Sequence, residues 1–306
     1  VTGRLPRGAK GAAGARSQQS VERDISWKEG QTAQAARIDT VTAIVRQRQI
    51  KIADEVTERL SANLQLTRKA AAQQLLSVLD TSAAEAAWNA ARARSLSLQR
   101  SYRNQINELK HLLGYPPTAT LRLQEGFALP SSVDVPPYEQ LAQGLESRRL
   151  DIIALHLAYE SQEETVRAAI LGQYPQIEIG LLHARDNSNL YTSGFGISID
   201  LPIFDRNQGR IAVERATRER IYNEYIGRIA RARANIAALR DRIVVIQQQI
   251  QVAEASLPGL SRLVDAYRTA TAAGQADVLS YYRAWNALSD TQIGILTLEN
   301  DLARAR

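Results

Sequence analysis

The 306-residue chain has no cysteine and no methionine, and lysine occurs only at positions 10, 28, 51, 69 and 110. Without cysteine there is no disulfide frame, thiolate metal site or thiol nucleophile. Without either sulfur residue there is no soft copper(I) site. Aromatic residues make up 6% of the chain, too few for a dense aromatic core. No apolar run approaches the ~20 residues that a membrane-spanning helix needs. The three histidines, His111, His156 and His183, fall in different segments, and no His/Cys/Asp/Glu spacing suits a metal. The "GFG" at Gly194–Gly196 lies inside a strand pattern and is not a phosphate loop. No nucleophile elbow or paired-carboxylate motif stands out. These absences point to no enzyme, no cofactor and no metal. Methionine is missing even at position 1, which leads to the expectation of a processed or partial chain.

Arginine carries the net charge of +6. Its residues are scattered among Glu and Asp with no aromatic-interleaved basic patch, so solvated helix faces are expected and no nucleic-acid partner. Alanine is abundant, which favours close-packed helices. Residues 1–30, rich in Gly, Ala and Arg, read as a poorly determined segment, the remnant of a helix start. A helical pattern follows from about Gln31 to Leu76, and a second from about Thr81 to Leu113 with Leu98, Tyr102, Ile106, Leu109 and Leu113 at spacings of 3 and 4. "GYPP" at Gly114–Pro117 stops it. A Pro-punctuated connector runs to residue 137. Helix begins again near Tyr138 and restarts after Arg148–Arg149, carrying Ile152, Leu155, Tyr159, Val166 and Ile170. A last pair of helices spans residues 207–306, interrupted at Pro258–Gly259 and turning at residues 273–277, with Asp205 as an N-cap. Sixty-odd residues at ~1.5 Å each give a rod of ~100 Å.

One stretch breaks the helical pattern. In "GFGISIDLPIFDRNQGRI" (Gly194–Ile211), Phe195, Ile197, Ile199, Leu201 and Ile203 alternate with polar and small residues. That period of two marks a strand with one apolar and one polar face. With "QIEIGLLHAR" before it, the segment 175–204 reads as a hairpin of strands about Gln176–Arg185 and Ser193–Phe204. Strands of ~10 residues match a tilted transmembrane β-strand. A lone hairpin is marginal in water, and several copies closing a barrel would supply its partners and remove the sheet edges. A soluble hairpin resting on helices is the alternative.

The chain also repeats itself. "RKAAAQQLLSVLDTSAAEAAWNAA" and "YRTATAAGQADVLSYYRAWNAL" each hold an Ala-rich helix end, a short polar break, a Val-Leu pair and a Trp-Asn-Ala. Val78–Leu79 and Val278–Leu279 lie 200 residues apart, and the Trp-Asn-Ala pieces 197. A duplicated unit built on a long helical hairpin is expected. Leu257, Leu260, Val264 and Tyr267 face Val278, Tyr282 and Trp285 in spacings that suit antiparallel coiled-coil packing.

"RRLDIIAL" (Arg148–Leu155), "AAILGQYPQIEIG" (Ala168–Gly180), "GISIDLPIFDRNQGRIAVERA" (Gly196–Ala216) and "AYRTATAAGQADVL" (Ala266–Leu279) closely resemble the TolC-type outer-membrane efflux factors. The nearest branch is that of heavy-metal and resistance-nodulation-division systems. Arg149-Leu150-Asp151 departs from the Arg-Pro-Asp that the family favours. The resemblance implies a mainly α fold with a β-hairpin: long antiparallel coiled-coil helices forming a periplasmic tunnel, plus strands of a trimeric transmembrane β-barrel. It implies two repeats per chain, residues 31–137 being the first and 138–306 the second. Three chains of the family build a twelve-stranded barrel. The first repeat's hairpin is missing here, and the 200-residue offset places it before residue 1.

The resemblance implies a passive outer-membrane export duct, in the outer membrane and periplasm of a Gram-negative bacterium. Its partners would be two further copies in a homotrimer, a periplasmic adaptor (membrane-fusion) protein, an inner-membrane transporter and outer-membrane lipid. On that reading Glu178, Ser198 and Asp200 face the pore. Ile177, Ile179, Leu181, Phe195, Ile197, Ile199, Leu201 and Ile203 face lipid. Gly274, Asp277, Ser280 and Arg283 mark the periplasmic tip, Ser280 and Arg283 standing where some family members carry acids around the aperture. Asp277 either substitutes for those acids or simply caps the returning helix. The rival to the whole reading is a soluble periplasmic coiled-coil scaffold or adaptor, which needs no lipid-facing strand.

Overall fold

A computed structural model of the chain describes residues 5–123, 128–185, 187, 191–200, 206–273 and 275–305. The elements run α1 (Leu5–Ala72), α2 (Val78–Leu112), α3 (Tyr138–Ala142), α4 (Leu145–Arg148), α5 (Leu150–Leu171), β1 (Gln176–Arg185), β2 (Tyr191–Asp200), α6 (Gln208–Ala272) and α7 (Val278–Ala305). Among the described residues no helix is long and apolar enough to cross a membrane. The chain divides into two compact units. One holds the start of α1 through Gly30 together with Pro137–Ile236; the other holds Gln31–Pro136 and Ala237–Arg306.

Local chemistry sets the helix ends. Gly114 closes α2 with φ +71°, its N–H donating to His111 O and that of Tyr115 to Lys110 O at 2.9 Å. This paired closure needs a left-handed residue, which glycine takes without a Cβ clash. Gly144, φ +73°, likewise separates α3 from α4. The Ala-rich end of α1 closes in the same way, with Gln74 in the left-handed position at φ +60°. There Gln74 N–H donates to Ala71 O and Leu75 N–H to Ala70 O, both at 3.0 Å.

Three boundaries differ from the sequence reading. α1 begins at Leu5, not near Gln31, because α5 supplies partners for residues before 30. Ser161 donates its hydroxyl to Ala13 O and Ser20 donates to Ala154 O, both at 2.8 Å, and Arg16 pairs with Glu160 and Glu164. α6 runs through Pro258 without a break. A proline inside a helix deletes one N–H bond, and the bonds on either side carry the helix across. β2 starts at Tyr191, two residues before the expected Ser193, and its described part ends at Asp200. Residues 201–205, including Leu201, Ile203 and the expected cap Asp205, lie outside the described residues, as does Gly274.

In the first unit α5 packs antiparallel on both α1 and α6. Along the α6 side, Glu163 meets Arg218 at 3.1 Å, Tyr159 meets Tyr222 and His156 meets Tyr225 with ring centroids 5.7 Å apart. Ile152 and Leu145 pack on Ile229 and Ala232. Gly172 ends α5, and a Cβ there would sit 3.0 Å from the Asn207 side-chain nitrogen, which donates to Ala169 O at 2.8 Å.

In the second unit α1, α2, α6 and α7 share one core of Val56, Leu60, Leu64, Ala84, Val264, Tyr282 and Leu288. Leu257, Leu260, Tyr267, Val278 and Trp285 pack against it, so the expected seam between α6 and α7 is present. Besides this apolar core, polar pairs join α1 to α7. Thr42 donates to Asn300 Oδ1 at 3.1 Å, Gln49 donates to Thr297 Oγ1 at 2.9 Å, and Tyr282 donates to Asn63 Oδ1 at 3.3 Å. Buried polar pairs of this kind hold only in one register, since a shift leaves them unsatisfied.

Candidate conduit surfaces

The hairpin is a two-stranded antiparallel sheet. Its register sets Ile177 opposite Ile199, Ile179 opposite Ile197 and Leu181 opposite Phe195. Alternate positions share a face, so these three pairs form one apolar band. The other face takes Gln176 opposite Asp200, Glu178 opposite Ser198 and Gly180 opposite Gly196. Side chains of Ile177, Glu178, Ile179, Leu181 and Asp200 lie outside the described residues, so their placement here is that of the backbone register. Phe195, Ile197 and Ile199 are 66%, 60% and 52% exposed. Water does not favour three adjacent large apolar side chains on an open sheet. A ten-residue strand rises ~33 Å, and tilted by ~40° it spans ~25 Å, the height of a barrel's apolar band.

The band changes character toward the connection between the strands. The same face continues as His183 opposite Ser193 and Arg185 opposite Tyr191. His183 Nδ1 and Ser193 Oγ are 2.9 Å apart, and the Arg185 guanidinium lies 5.2 Å from the Tyr191 ring centre.

The two helical turns share one construction at an offset of 200 residues. Ser77 caps α2: its hydroxyl oxygen accepts from Asp80 N–H at 3.2 Å, and Asp80 Oδ2 accepts from Ser77 N–H at 3.1 Å. At the second turn, Asp277 Oδ1 accepts from Ser280 N–H at 2.8 Å, and the Ser280 hydroxyl donates to Oδ2 at 2.7 Å. Serine and aspartate have exchanged places. The Ser280 hydroxyl and then its backbone N–H hold the Asp277 carboxyl below the usual range. The cap geometry of Asp277 is therefore present. Arg283 is exposed on the second turn of α7, on the side of Leu279. At the first turn Leu75, Val78 and Leu79 are largely exposed. Trp285 sits about one helical turn nearer its tip than Trp88, which explains the 197-residue offset.

The sequence reading missed a buried charge cluster. Asp151 is 3% exposed at the start of α5. Arg149 donates to it from Nε at 3.0 Å and from Nη2 at 2.8 Å, and Arg228 of α6 donates from Nη1 at 3.2 Å. The Arg149 guanidinium also lies 4.9 Å from the Trp27 ring centre in α1. Burial pushes the Asp151 carboxyl up, but the two arginines outweigh it and hold the group below the usual carboxylate range. The signal was present as Arg149-Leu150-Asp151, singled out for its likeness to the family's Arg-Pro-Asp, which did not reveal that its acid is buried. Among the described residues no group of three His, Asp or Glu side chains is placed to hold a metal.

The family model for outer membrane efflux proteins matches residues 141–306, more than half of the chain. The chain belongs to this family. The cobalt-zinc-cadmium resistance protein CzcC of Cupriavidus metallidurans is 28% identical over 178 residues, covering 55% of this chain and 40% of that protein. The chain thus matches less than half the length of this curated relative. The outer-membrane channel OprN superposes with a TM-score of 0.86 at 18% identity, over 98% of this chain and 69% of that one. The open state of the Neisseria gonorrhoeae MtrE outer membrane channel gives 0.80 at 16% identity, over 97% and 69%. The mostly helical architecture with a hairpin is therefore that of outer-membrane efflux channels.

Proposed function

We propose that this chain contributes to the wall of a passive, trimeric outer-membrane export duct. The hairpin of each of three copies contributes to a transmembrane β-barrel, and the long helices form a periplasmic tunnel. The observation that carries the reading is the exposed apolar band of the hairpin, backed by a polar second face, in a chain whose other described elements are helices. Lipid covers the band and water the opposite face, with Glu178, Ser198 and Asp200 toward the bore. Closure of the barrel removes the open edges of the two-stranded sheet.

The helical turns with Asp277, Ser280, Arg283 and the exposed Leu75–Leu79 stretch form the periplasmic tip, where the aperture and the adaptor protein meet. An inner-membrane transporter supplies energy and cargo. A duct needs no catalytic group, only a polar bore. The name of CzcC supports divalent transition-metal cations as cargo.

The test is Ile197→Arg, at the middle pair of the apolar band, beside Ser198→Arg, with insertion into lipid bilayers and single-channel conductance as readouts. A charge on the lipid face costs ~2–4 kcal/mol at the midplane, while the bore tolerates it. The expected result is lost insertion for the first variant and an inserted, conducting channel for the second. Equal behaviour of the two, or wild-type protein that stays monomeric and never enters bilayers, overturns the reading.

A further inference from the structure

The lipid-side face of the hairpin does not stay apolar. Beyond the Leu181–Phe195 pair it passes to His183 with Ser193, then to Arg185 with Tyr191. His183, Arg185, Tyr191 and Ser193 are all exposed. The His183 and Tyr191 rings stack at 5.9 Å between centroids, and the Arg185 guanidinium lies 5.2 Å from the Tyr191 ring centre. A cation, a hydroxyl, an imidazole and a phenol thus converge within two register pairs. On the opposite face the same levels hold only Ala184 with Thr192 and Leu182 with Gly194. The strands enter and leave the sheet beside helices α5 and α6, so this cluster lies at the end of the hairpin remote from the helices.

We propose that this cluster binds the phosphorylated headgroup of an outer-leaflet lipid. The inference rests on the duct reading, which turns the apolar band toward acyl chains and the helix-remote end toward the outer leaflet. Three features fit a lipid headgroup. Tyrosine is a residue of the boundary between acyl chains and headgroups, with its ring toward the apolar side and its hydroxyl toward water. Arginine donates in the forked geometry that phosphate oxygens accept, and the Arg185 guanidinium lies within cation–π reach of Tyr191, 5.2 Å from its ring centre. The charge sits directly above the apolar band on one face, where acyl chains and headgroup of a single lipid are themselves joined. A free anion in the bore would call for the cation on the other face. Three copies present three such sites around the barrel.

The experiment compares the full protein in phosphatidylcholine nanodiscs with and without a minority of diphosphoryl lipid A, counting bound lipid A by native mass spectrometry. Wild type, Arg185→Gln and a relocated variant with Arg185→Gln and Ala184→Arg are measured, with inorganic phosphate as competitor. Each basic residue at an anionic surface gives about a fivefold gain in affinity. The expected result is retention of lipid A by wild type, about fivefold weaker retention for Arg185→Gln, and no rescue when the arginine is moved to the bore face. Millimolar phosphate should not displace the lipid. Equal retention by all three, rescue by the relocated variant, or displacement by phosphate overturns the headgroup site while leaving the barrel intact. A protein that enters none of the nanodiscs overturns the duct reading and this inference with it.

Discussion

Replacing Asp151 by alanine tests the buried cluster directly. The side chain is 2% exposed and accepts three hydrogen bonds from two guanidinium groups. Removing one partner of a buried ion pair costs ~3–5 kcal/mol, because the remaining charge loses its compensation. Here the stranded groups keep some relief. The Arg149 and Arg228 side chains are 26% and 33% exposed. Arg149 retains the Trp27 ring, and Arg228 retains Glu224 at 3.3 Å. The expected loss is therefore below that range, ~2–3 kcal/mol. It should appear as a lower denaturant midpoint with an unchanged slope and as faster amide exchange in the first turns of α5. The pH dependence gives a second check. A carboxyl whose folded value is depressed stabilises fully above its unfolded value of ~3.9, and that stability is lost as pH falls through the folded value. The advantage of wild type over Asp151→Asn should thus be complete near neutral pH and shrink below about pH 4. A loss under ~0.5 kcal/mol, within the range of ordinary surface changes, or a difference that does not change with acid, refutes the reasoning.

Three further outcomes follow from single positions. Burial pushes the Tyr282 phenol up to about 12, so its stabilising effect is whole below about pH 10 and fades as pH rises through 12; an alkaline unfolding titration should show this loss in wild type and not in Tyr282→Phe. Gln74 holds a left-handed conformation at φ +60°, and Gln74→Gly should raise the thermal midpoint, with a gain of up to ~1 kcal/mol; a lower midpoint would show that the side chain contributes more than the strain. Leu150 is the first residue of α5, after Arg149 in extended conformation at ψ 114°, where proline fits because that N–H has no helical partner. Leu150→Pro should leave stability within about 1 kcal/mol of wild type, measured by chemical denaturation, and a larger loss would contradict the assigned helix start.

Short-range periodicity made much of this protein legible. The strict alternation from Phe195 to Ile203 defined a two-faced strand, since a period of two has no helical meaning. Gly114 followed by two prolines marked a helix end, because only certain residues accept the required dihedrals. The seam of Val264, Tyr282 and Trp285 followed from steps of three and four. Recurrence of Val-Leu at 200 residues pointed to the two helical turns that are built alike. Each signal is written in residues near one another.

What joins distant residues was decided by tertiary structure. Pairing Ile177 with Ile199, Ile179 with Ile197 and Leu181 with Phe195 needed the register between strands, since a slip of one would reverse every face. The exchange of serine and aspartate between the two caps became visible only when both turns were folded. Helix α1 extends far ahead of Gln31 because residues of α5, more than a hundred positions later, engage Ala13, Arg16 and Ser20. Asp151 reads along the chain as one more charge at a helix start. It is a buried charge because Arg228 and Trp27 are brought to it by helices remote in sequence. Local propensity cannot encode that burial, since it depends on which surfaces the folded chain removes from water.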